Sequence, residues 1–207
     1  EEIAKIKSAF SLTSQQPNKN SKDFFIDEEE ENEFHTNEEH IGEGATSVTY
    51  KIIDKRTKTP ICKKVLKYRN DQTIIQDAKR ALNEFQILYT INHPCICKAI
   101  GINTQEPLQI PKKKEKVTTI ALFLEFCEYN LEEVLGMKIN NTLKTRIVLD
   151  IVHGMNFIHK KGMMHRDLKL QNIMLNSFFE TKIVDFGLAK ITEIAIDGFS
   201  FVEDSLF

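Results

Sequence analysis

The spacing of apolar residues alternates between a strand period and a helix period along this chain, and that order constrains the fold most strongly. Residues 47–54 (SVTYKIID) and 61–67 (ICKKVLK) are β-type runs joined by a turn-rich segment. Apolar residues then recur at helical spacing over residues 71–91, where Asp71 or Thr73 can cap the first turn. The first half of the chain is therefore predicted to form strands followed by a helix.

The same change of period follows in the second half. Residues 93–102 (HPCICKAIGI) predict a short strand, and residues 118–126 (TTIALFLEF) are apolar throughout, as in a strand buried on both faces. The Pro- and Lys-rich residues 105–116 between them predict a surface loop. A second helix is predicted over residues 143–160, and Gly162 is placed to end it. Two short strands, IML and TKIVD, complete the pattern.

This order predicts an α+β fold with a sheet-rich N-terminal half and a helical C-terminal half. Residues 1–37 differ from the rest, because they are polar and carry an acidic run at residues 27–33. They are predicted to form a mostly disordered leader, with a short helix over residues 3–10 as an option. For the acidic run, a solvated linker and a binding segment for a basic partner both stay open.

Charge and composition exclude several classes of function. The net charge of −2 over 207 residues provides no field to gather nucleic acid or an anionic membrane. The longest apolar run, residues 120–124, is too short to cross a bilayer. The four cysteines form no C-x-x-C pair and no signal peptide precedes them, which predicts reduced thiols and a cytoplasmic location.

Two polar stretches stand beside buried elements and contain the residues suited to catalysis. Residues 165–172 (HRDLKLQN) lie between the second predicted helix and a strand, and residues 185–187 (DFG) directly follow another apolar strand. Polar loops held between buried elements commonly carry catalytic groups. Two acids and an asparagine carboxamide are also hard oxygen ligands, which suit Mg²⁺.

These stretches resemble the catalytic and magnesium loops of eukaryotic protein kinases of the serine/threonine type. Four more motifs occur in the order of that family, from the glycine-rich loop to the hinge: IGEGATSVTYK, ICKKVLK, LNEFQILYTINHP and LFLEFCEYNL. The resemblance covers roughly residues 38–190. It implies a bilobal fold, with a leader (1–37), an N-lobe and hinge (38–128) and a partial C-lobe (129–207). It also implies transfer of the ATP γ-phosphate to a protein substrate.

The resemblance assigns roles to individual residues. Lys64 would bind the phosphates and pair with Glu84, Asp167 would orient the substrate hydroxyl, and Lys169 would neutralise the transferring phosphoryl group. His165 would brace the catalytic loop. Asn172 and Asp185 would hold Mg²⁺. The nucleotide contacts would come from Ile41, Gly42, Glu43, Gly44, Ser47, Thr49, Cys62, Lys64, Leu124, Glu125, Cys127 and Met174.

Two of these assignments are also supported by the physical properties of the residues. Gly42 and Gly44 would let the backbone approach phosphate oxygens and adopt positive φ, although an ordinary hairpin turn needs glycines too. Side chains alternate along a strand, so Cys62 and Lys64 share one face and Lys63 points to the other. Lys63 takes the phosphate role instead if the preceding turn is one residue shorter, and Lys64 is preferred.

The resemblance is interrupted at the C-terminal end. After DFGLAK no A-P-E motif follows, and the chain begins at Glu1 and not at Met, which together predict a fragment of a larger kinase. This fragment is expected to be inactive on its own, because the platform for the peptide substrate would lie in the missing part. The apolar stripe of the second helix would then be exposed (Ile147, Ile151, Met155 and Ile158). A catalytically inactive module that binds nucleotide or acts as a scaffold is the alternative function. Of the hydroxyl residues Thr192, Ser200 and Ser205, the two serines are better placed to carry a phosphate that pairs with Arg166, because Thr192 directly follows DFGLAK. Solvated loop residues are the alternative for both serines.

Overall fold

A computed structural model describes residues 26, 38–67, 73–108 and 117–192 of the chain. Its first half contains a five-stranded antiparallel sheet with the strand order β1-β2-β3-β5-β4. The strands are β1 (Glu39–Glu43), β2 (Ser47–Ile53), β3 (Pro60–Leu66), β4 (Ala99–Leu108) and β5 (Val117–Glu125). The sheet-rich first half is as predicted.

One helix, α1 (Ile74–Thr90), packs on this sheet. Its predicted stripe is confirmed, since Ala78, Leu82, Phe85 and Leu88 are buried in the main hydrophobic core. Thr73 stands at the N-cap position but makes no side-chain capping bond. We call the face of the sheet toward α1 the inner face.

The second half is mainly helical and contains two small ladders. Asn140 caps the long helix by accepting a hydrogen bond from the Leu143 amide, and Gly162 ends it with φ 67°. The small sheets have the strand orders β6-β8-β9 and β7-β10. The elements are β6 (Tyr129–Asn130), α2 (Leu131–Gly136), α3 (Asn141–Lys160), β7 (Met163–Met164), β8 (Ile173–Leu175), β9 (Thr181–Ile183) and β10 (Lys190–Ile191).

A segment after α1 joins the two halves. The Ile183 amide donates to the Cys95 carbonyl over 2.9 Å, and the Cys97 amide donates to the Ile183 carbonyl over 3.0 Å. Helix α3 crosses the same place at Gly154, where an added Cβ would come within 2.7 Å of the Ile183 side chain. A larger residue there would require the Ile183 side chain to move, so glycine favours this close packing of α3 against β9.

Two predictions about these elements are wrong. Strand β4 continues to Leu108, into the segment predicted as a loop, because its backbone pairs with β5 as far as Val117. The stripe of α3 is not exposed: Ile147 and Ile158 are buried, since they face the core of the helical half. The exposed apolar residues of α3 lie on another side of the helix, at Val148, Leu149 and Val152.

Several predictions fall outside the described residues. They are the helix over residues 3–10, the character of the acidic run, and the positions of Ser200 and Ser205. Within the described ranges, no helix is both long and apolar enough to cross a membrane.

Candidate active site

The inner face of β3 presents one lysine to α1. The Lys64 ammonium lies 2.7 and 2.8 Å from the two carboxylate oxygens of Glu84 and 3.5 Å from Asp185 Oδ1. Lys63 points to the opposite face and pairs with Glu38 over 2.9 Å. Strand alternation is the reason, because adjacent side chains of a strand leave opposite faces of the sheet. Lys64 is therefore the lysine that meets Glu84 of α1 and Asp185 of the DFG segment.

Burial and charge act in opposite directions on Lys64. Burial alone would lower the pKa of its ammonium, but the neighbouring carboxylates Glu84 and Asp185 outweigh burial and raise that pKa above its ordinary value. Lys64 is consequently charged at neutral pH. An ammonium has three N–H donors, and the contact to Asp185 is long at 3.5 Å, so Lys64 can also donate to an oxygen of a ligand such as phosphate.

The hairpin of β1 and β2 lies next to this lysine. Thr49 of β2 is the cross-strand partner of both Gly42 and Lys64. The hairpin closes with a bond from the Gly44 amide to the Ser47 carbonyl over 2.9 Å, and Lys67 donates to the Gly44 carbonyl over 2.7 Å. The expectation of positive φ at the glycines is wrong, because Gly162 alone has positive φ among the described glycines. A Cβ at Gly42 would contact nothing within 4 Å, so packing within the protein does not require glycine there.

The C-terminal end of β5 lies between β3 and the segment that precedes β4. Cys62 and Leu124 are cross-strand partners, so both lie on the inner face. The Glu125 amide donates to the Lys98 carbonyl over 2.9 Å, and the Glu125 carbonyl accepts a weak bond from the Cys97 thiol over 3.7 Å. The Glu125 carboxylate also pairs with Lys182 of β9 over 2.8 Å. This ion pair ties the connection between the halves to the small C-terminal sheet, and sequence reasoning missed it.

The thiols of this region are buried and protonated. Burial raises the pKa of both Cys62 and Cys127 to about 12. All four cysteines are free. Met174 lies on β8 beside Asn130 and Lys182 and is half-buried.

The catalytic-loop residues form one hydrogen-bonded cluster. Asp167 Oδ2 accepts from the Lys169 ammonium over 2.8 Å and from Asn172 Nδ2 over 2.9 Å. Asn172 Nδ2 also donates to the Asp167 carbonyl over 2.8 Å. The bond from Lys169, with help from Asn172, lowers the pKa of Asp167 against a small opposing effect of burial. Asp167 is therefore an ionised carboxylate at neutral pH.

His165 supports this loop from beneath, as predicted from the resemblance. Its ring is 1% exposed and packs edge-on against Phe186 at 4.6 Å between centroids. The Asp167 amide donates to His165 Nδ1, so the proton is on Nε2, which donates to the Val184 carbonyl over 2.9 Å. The histidine is fully used in bracing and is not placed for proton transfer.

The DFG segment is held in an unusual backbone conformation. Asp185 has φ 62°, and Arg166 in the catalytic loop has φ 64°, which is uncommon for residues other than glycine. Arg166 Nε donates to the Leu188 carbonyl over 2.6 Å, and the Thr192 hydroxyl donates to the Gly162 carbonyl over 2.8 Å. The two loops are thus tied together where both depart from regular structure.

A further residue of α1 holds the DFG segment, and sequence reasoning did not find it. Asn83 Nδ2 donates to the Phe186 carbonyl over 3.1 Å and to the Ala189 carbonyl over 3.2 Å. Asn83 directly precedes Glu84, so adjacent residues of the helix contact the DFG segment and Lys64. The only signal in the sequence is an asparagine, a weak helix former, in the middle of a helix.

The structure brings some of the predicted residues together and leaves others apart. A cavity of about 270 Å³ is lined by Ser47, Lys64, Glu84, Asp167 and Asp185, among others. Asn172 joins them through Asp167. The remaining nucleotide candidates do not line this cavity: Ile41, Gly42, Glu43, Gly44, Thr49, Cys62, Leu124, Glu125, Cys127 and Met174.

The oxygen donors present are compatible with a magnesium ion. Asn172 uses its amide nitrogen for both bonds to Asp167, which leaves its side-chain oxygen to act as a ligand. The Asp185 carboxylate is partly exposed and borders the cavity. Amide and carboxylate oxygens are the ligands that Mg²⁺ prefers. Over the described ranges, no group of three or more His, Cys, Asp or Glu residues forms a metal site by itself.

Comparison with known proteins agrees with this arrangement. Residues 35–203 match the family described as "Protein kinase domain". The chain is 29% identical to mitogen-activated protein kinase 13 of Mus musculus over 160 residues, which cover 77% of this chain and 42% of that relative. It is 30% identical to cell division control protein 2 homolog 3 of Trypanosoma brucei brucei over 158 residues, covering 74% and 46% respectively.

The chain therefore spans less than half the length of these curated relatives. The family match, in contrast, covers most of the chain and includes all of the sheet-rich half and the two polar loops. The α+β fold with its sheet-rich and helical halves is the fold implied by the resemblance. We conclude that this chain belongs to the protein kinase domain family.

Proposed function

We propose that this chain carries the nucleotide-binding and catalytic loops of a serine/threonine protein kinase, which transfers the γ-phosphate of ATP to a hydroxyl group of a protein substrate. The observation that supports it most is the meeting of Lys64, Glu84 and Asp185, whose contacts are 2.7–3.5 Å long. These three residues come from a strand, a helix and a loop far apart in sequence. Both relatives named above carry kinase or cell-division names.

The nucleotide would bind between the β1–β2 hairpin and the helical half. In this proposal the adenine ring lies between Cys62 and Met174, with Leu124 behind it. The Glu125 carbonyl and the Cys127 amide would bond the adenine edge. Ile41, Gly42, Glu43, Gly44, Ser47 and Thr49 would cover the ring and the phosphates, and Lys64 would bind the phosphates.

Asn172 and Asp185 would hold Mg²⁺ through their side-chain oxygens. When bound, the ion supplies positive charge that offsets the charge of the nucleotide phosphates. Lys64 is kept charged by Glu84 and adds a second fixed cation on the protein itself. Asn83 and His165 keep the DFG segment in register with α1 and the catalytic loop.

Asp167 would act on the protein substrate. Its ionised carboxylate can accept a hydrogen bond from the serine or threonine hydroxyl and take up its proton as the oxygen bonds to the γ-phosphorus. The bond between the γ-phosphorus and the bridging oxygen breaks at the same time, and ADP leaves with that oxygen. Lys169 lies 2.8 Å from Asp167, where its charge can offset that of the transferring group.

The limits of the lobes and the location of the protein are part of the same proposal. We assign residues 38–128 to the N-lobe and hinge and residues 129–207 to a partial C-lobe, with 1–37 ahead of them. Free thiols at all four cysteines support a cytoplasmic location.

A nucleotide-binding or scaffolding module without catalytic activity is a second candidate. The exposed apolar residues Val148, Leu149 and Val152 of α3, each more than half exposed, support an interaction surface of that kind. Phosphoryl transfer distinguishes the two candidates. Because a partial C-lobe is expected to be inactive alone, the chain extended to a complete kinase domain serves as the parent chain in this assay. It is incubated with Mg²⁺ and radiolabelled ATP and with a mixture of serine- and threonine-containing peptides, and ATP binding is measured in parallel.

The kinase proposal expects labelled peptide from the parent chain and none from Asp167→Asn, which keeps the shape of the side chain but removes its charge. Label on serine or threonine must be verified by phosphoamino-acid analysis. ATP binding without transfer by the parent chain would favour the second candidate instead. Absence of both binding and transfer would contradict both.

A further inference from the structure

The outer face of the five-stranded sheet is covered, although α1 packs only on the inner face. Side chains that alternate with Cys62 and Lys64 point to this outer face, and five apolar residues there form a separate hydrophobic cluster. Antiparallel sheets commonly leave one face to water. We call this group the outer-face cluster: Ile52, Ile61, Val65, Ala121 and Phe123. Four of its members are at most 3% exposed.

Ile26 contacts this face through both its side chain and its backbone. Ile26 is 8% exposed, and its side chain packs against the outer-face cluster. Its amide donates to the Ile102 carbonyl over 2.9 Å. Because β4 is an edge strand, its outward carbonyls otherwise depend on water. Ile26 therefore supplies an apolar side chain to the face and a hydrogen bond to the edge.

A second contact joins the residues ahead of β1 to the same face. Lys63 is 2% exposed, and its ammonium lies 2.9 Å from Glu38, the residue immediately before β1. A buried ammonium is costly unless an opposite charge accompanies it. The N-terminal part of the chain thus meets the outer face at an apolar point, Ile26, and at a charged point, Glu38.

The apolar point lies outside the family domain. The family match begins at residue 35, so Ile26 lies ahead of the matched region. The sequence around it, DFFIDEEEENE, places three apolar residues directly before an acidic run. Burial stabilises only the apolar triplet and not its polar neighbours. The composition is therefore typical of a short anchor that binds an apolar surface.

We propose that the outer face of the sheet is a docking surface for the chain's own N-terminal segment, with Ile26 as the apolar anchor and the Glu38–Lys63 pair as the charged tie. The docked segment shields the outer-face cluster from water. Its release uncovers an apolar surface directly behind the strand that carries Lys64. This inference does not rest on catalytic activity and holds for either proposed function.

The test uses the full chain with Ile26→Asp, which would place a carboxylate in an apolar cluster and release the anchor. We expect the melting temperature to fall by about 5–10 °C and the binding of a hydrophobic dye to increase. A synthetic peptide of residues 20–32 should then bind the variant and restore much of the lost melting temperature. The same peptide carrying Ile26→Asp is the matched control and should do neither.

Failure of the unmodified peptide to bind the variant would overturn the proposal, because Ile26 would then be an ordinary core residue. Sedimentation of the parent chain tests whether a second copy of the chain supplies the anchor. A dimer that dissociates in Ile26→Asp would show this and would also overturn the proposal. If Ile26→Asp does not fold, Ile26→Cys serves instead. Its thiol should react about tenfold or more slowly than the thiol of Lys55→Cys on an exposed turn, and equal rates would contradict docking.

Discussion

Lys63 and Lys64 are neighbours on β3, yet they have different surroundings. Both form an ion pair, Lys63 with Glu38 and Lys64 with Glu84. The partner of Lys63 is an exposed residue before β1, whereas the partner of Lys64 is a buried residue of α1. Lys64 also lies 3.5 Å from Asp185 of the DFG segment. An ion pair by itself therefore does not indicate a functional site. The indication is a cation with several acidic neighbours that borders a cavity.

The largest expected effect separates the two lysines directly. Lys64→Met should lower phosphoryl transfer about 100-fold or more, because it removes a fixed cation at the phosphates. Lys63→Met should leave transfer close to the parent rate, since its side chain is on the outer face. Initial rates with radiolabelled ATP measure both. The reverse pattern would mean that the two faces of β3 have been assigned the wrong way round.

The next prediction concerns Asp185, the second acidic neighbour of Lys64. Saturating Mg²⁺ and ATP should raise the melting temperature of the parent chain by about 5–10 °C. Asp185→Asn should abolish that shift, because a neutral amide is a much weaker magnesium ligand than a carboxylate. Thermal unfolding with and without EDTA measures the effect. Equal shifts for parent and variant would remove Asp185 from the metal site.

Asn83 connects α1, which packs on the inner face of the sheet, to the DFG segment. Asn83→Ala leaves the Phe186 and Ala189 carbonyls without their side-chain donor, which should cost about 1–3 kcal/mol of unfolding free energy. Asn156→Ala, at an exposed asparagine of α3, is the matched control and should change the unfolding free energy far less. Urea unfolding measures both variants. Equal effects would show that the bonds from Asn83 contribute nothing beyond helix propensity.

The smallest effect concerns Cys62, which shares the inner face with Lys64 but is uncharged. Burial raises its pKa to about 12 in the folded chain, whereas an unfolded thiol titrates near 8.5. Above about pH 9 the unfolded chain therefore releases this proton first, and folding stability falls as pH rises. Cys62→Ala should reduce the loss of unfolding free energy between pH 8.5 and 10.5 by about 1–2 kcal/mol.

Urea unfolding at the two pH values tests this directly. An identical pH dependence in the parent chain and in Cys62→Ala would contradict the burial of the thiol. The pH dependence of stability has the opposite sign for Asp167. The pKa of Asp167 is lowered in the folded chain, so its contribution to stability is lost as pH falls through the acid range.

Much of the fold could be predicted from periodicity and much of the site from motif order. The predicted strands at β2, β3 and β5 and the helices α1 and α3 are present, because each carries a long and consistent apolar pattern. Two of the short elements, β8 and β9, were predicted as the strands IML and TKIVD, and the other short elements were missed. Helix α2 has a readable signal, since Asn130 and Glu133 form a capping box, but six residues provide no apolar period. The extension of β4 had no signal in the sequence, because its residues have a loop-like composition. Its pairing with β5 outweighs that composition and makes it a strand.

The amino-acid sequence by itself determined which residues are available for chemistry and on which side of each strand they lie. Alternation along β3 separates Lys63 from Lys64 whatever surrounds the strand. The tertiary structure alone decided which groups meet: Lys64 with Glu84 and Asp185, Asn83 with the DFG carbonyls, Glu125 with Lys182, and Ile26 with the outer face. These partners are up to 121 residues apart. Local periodicity contains no information on such distances, because packing and charge pairing select the partners only when the elements assemble.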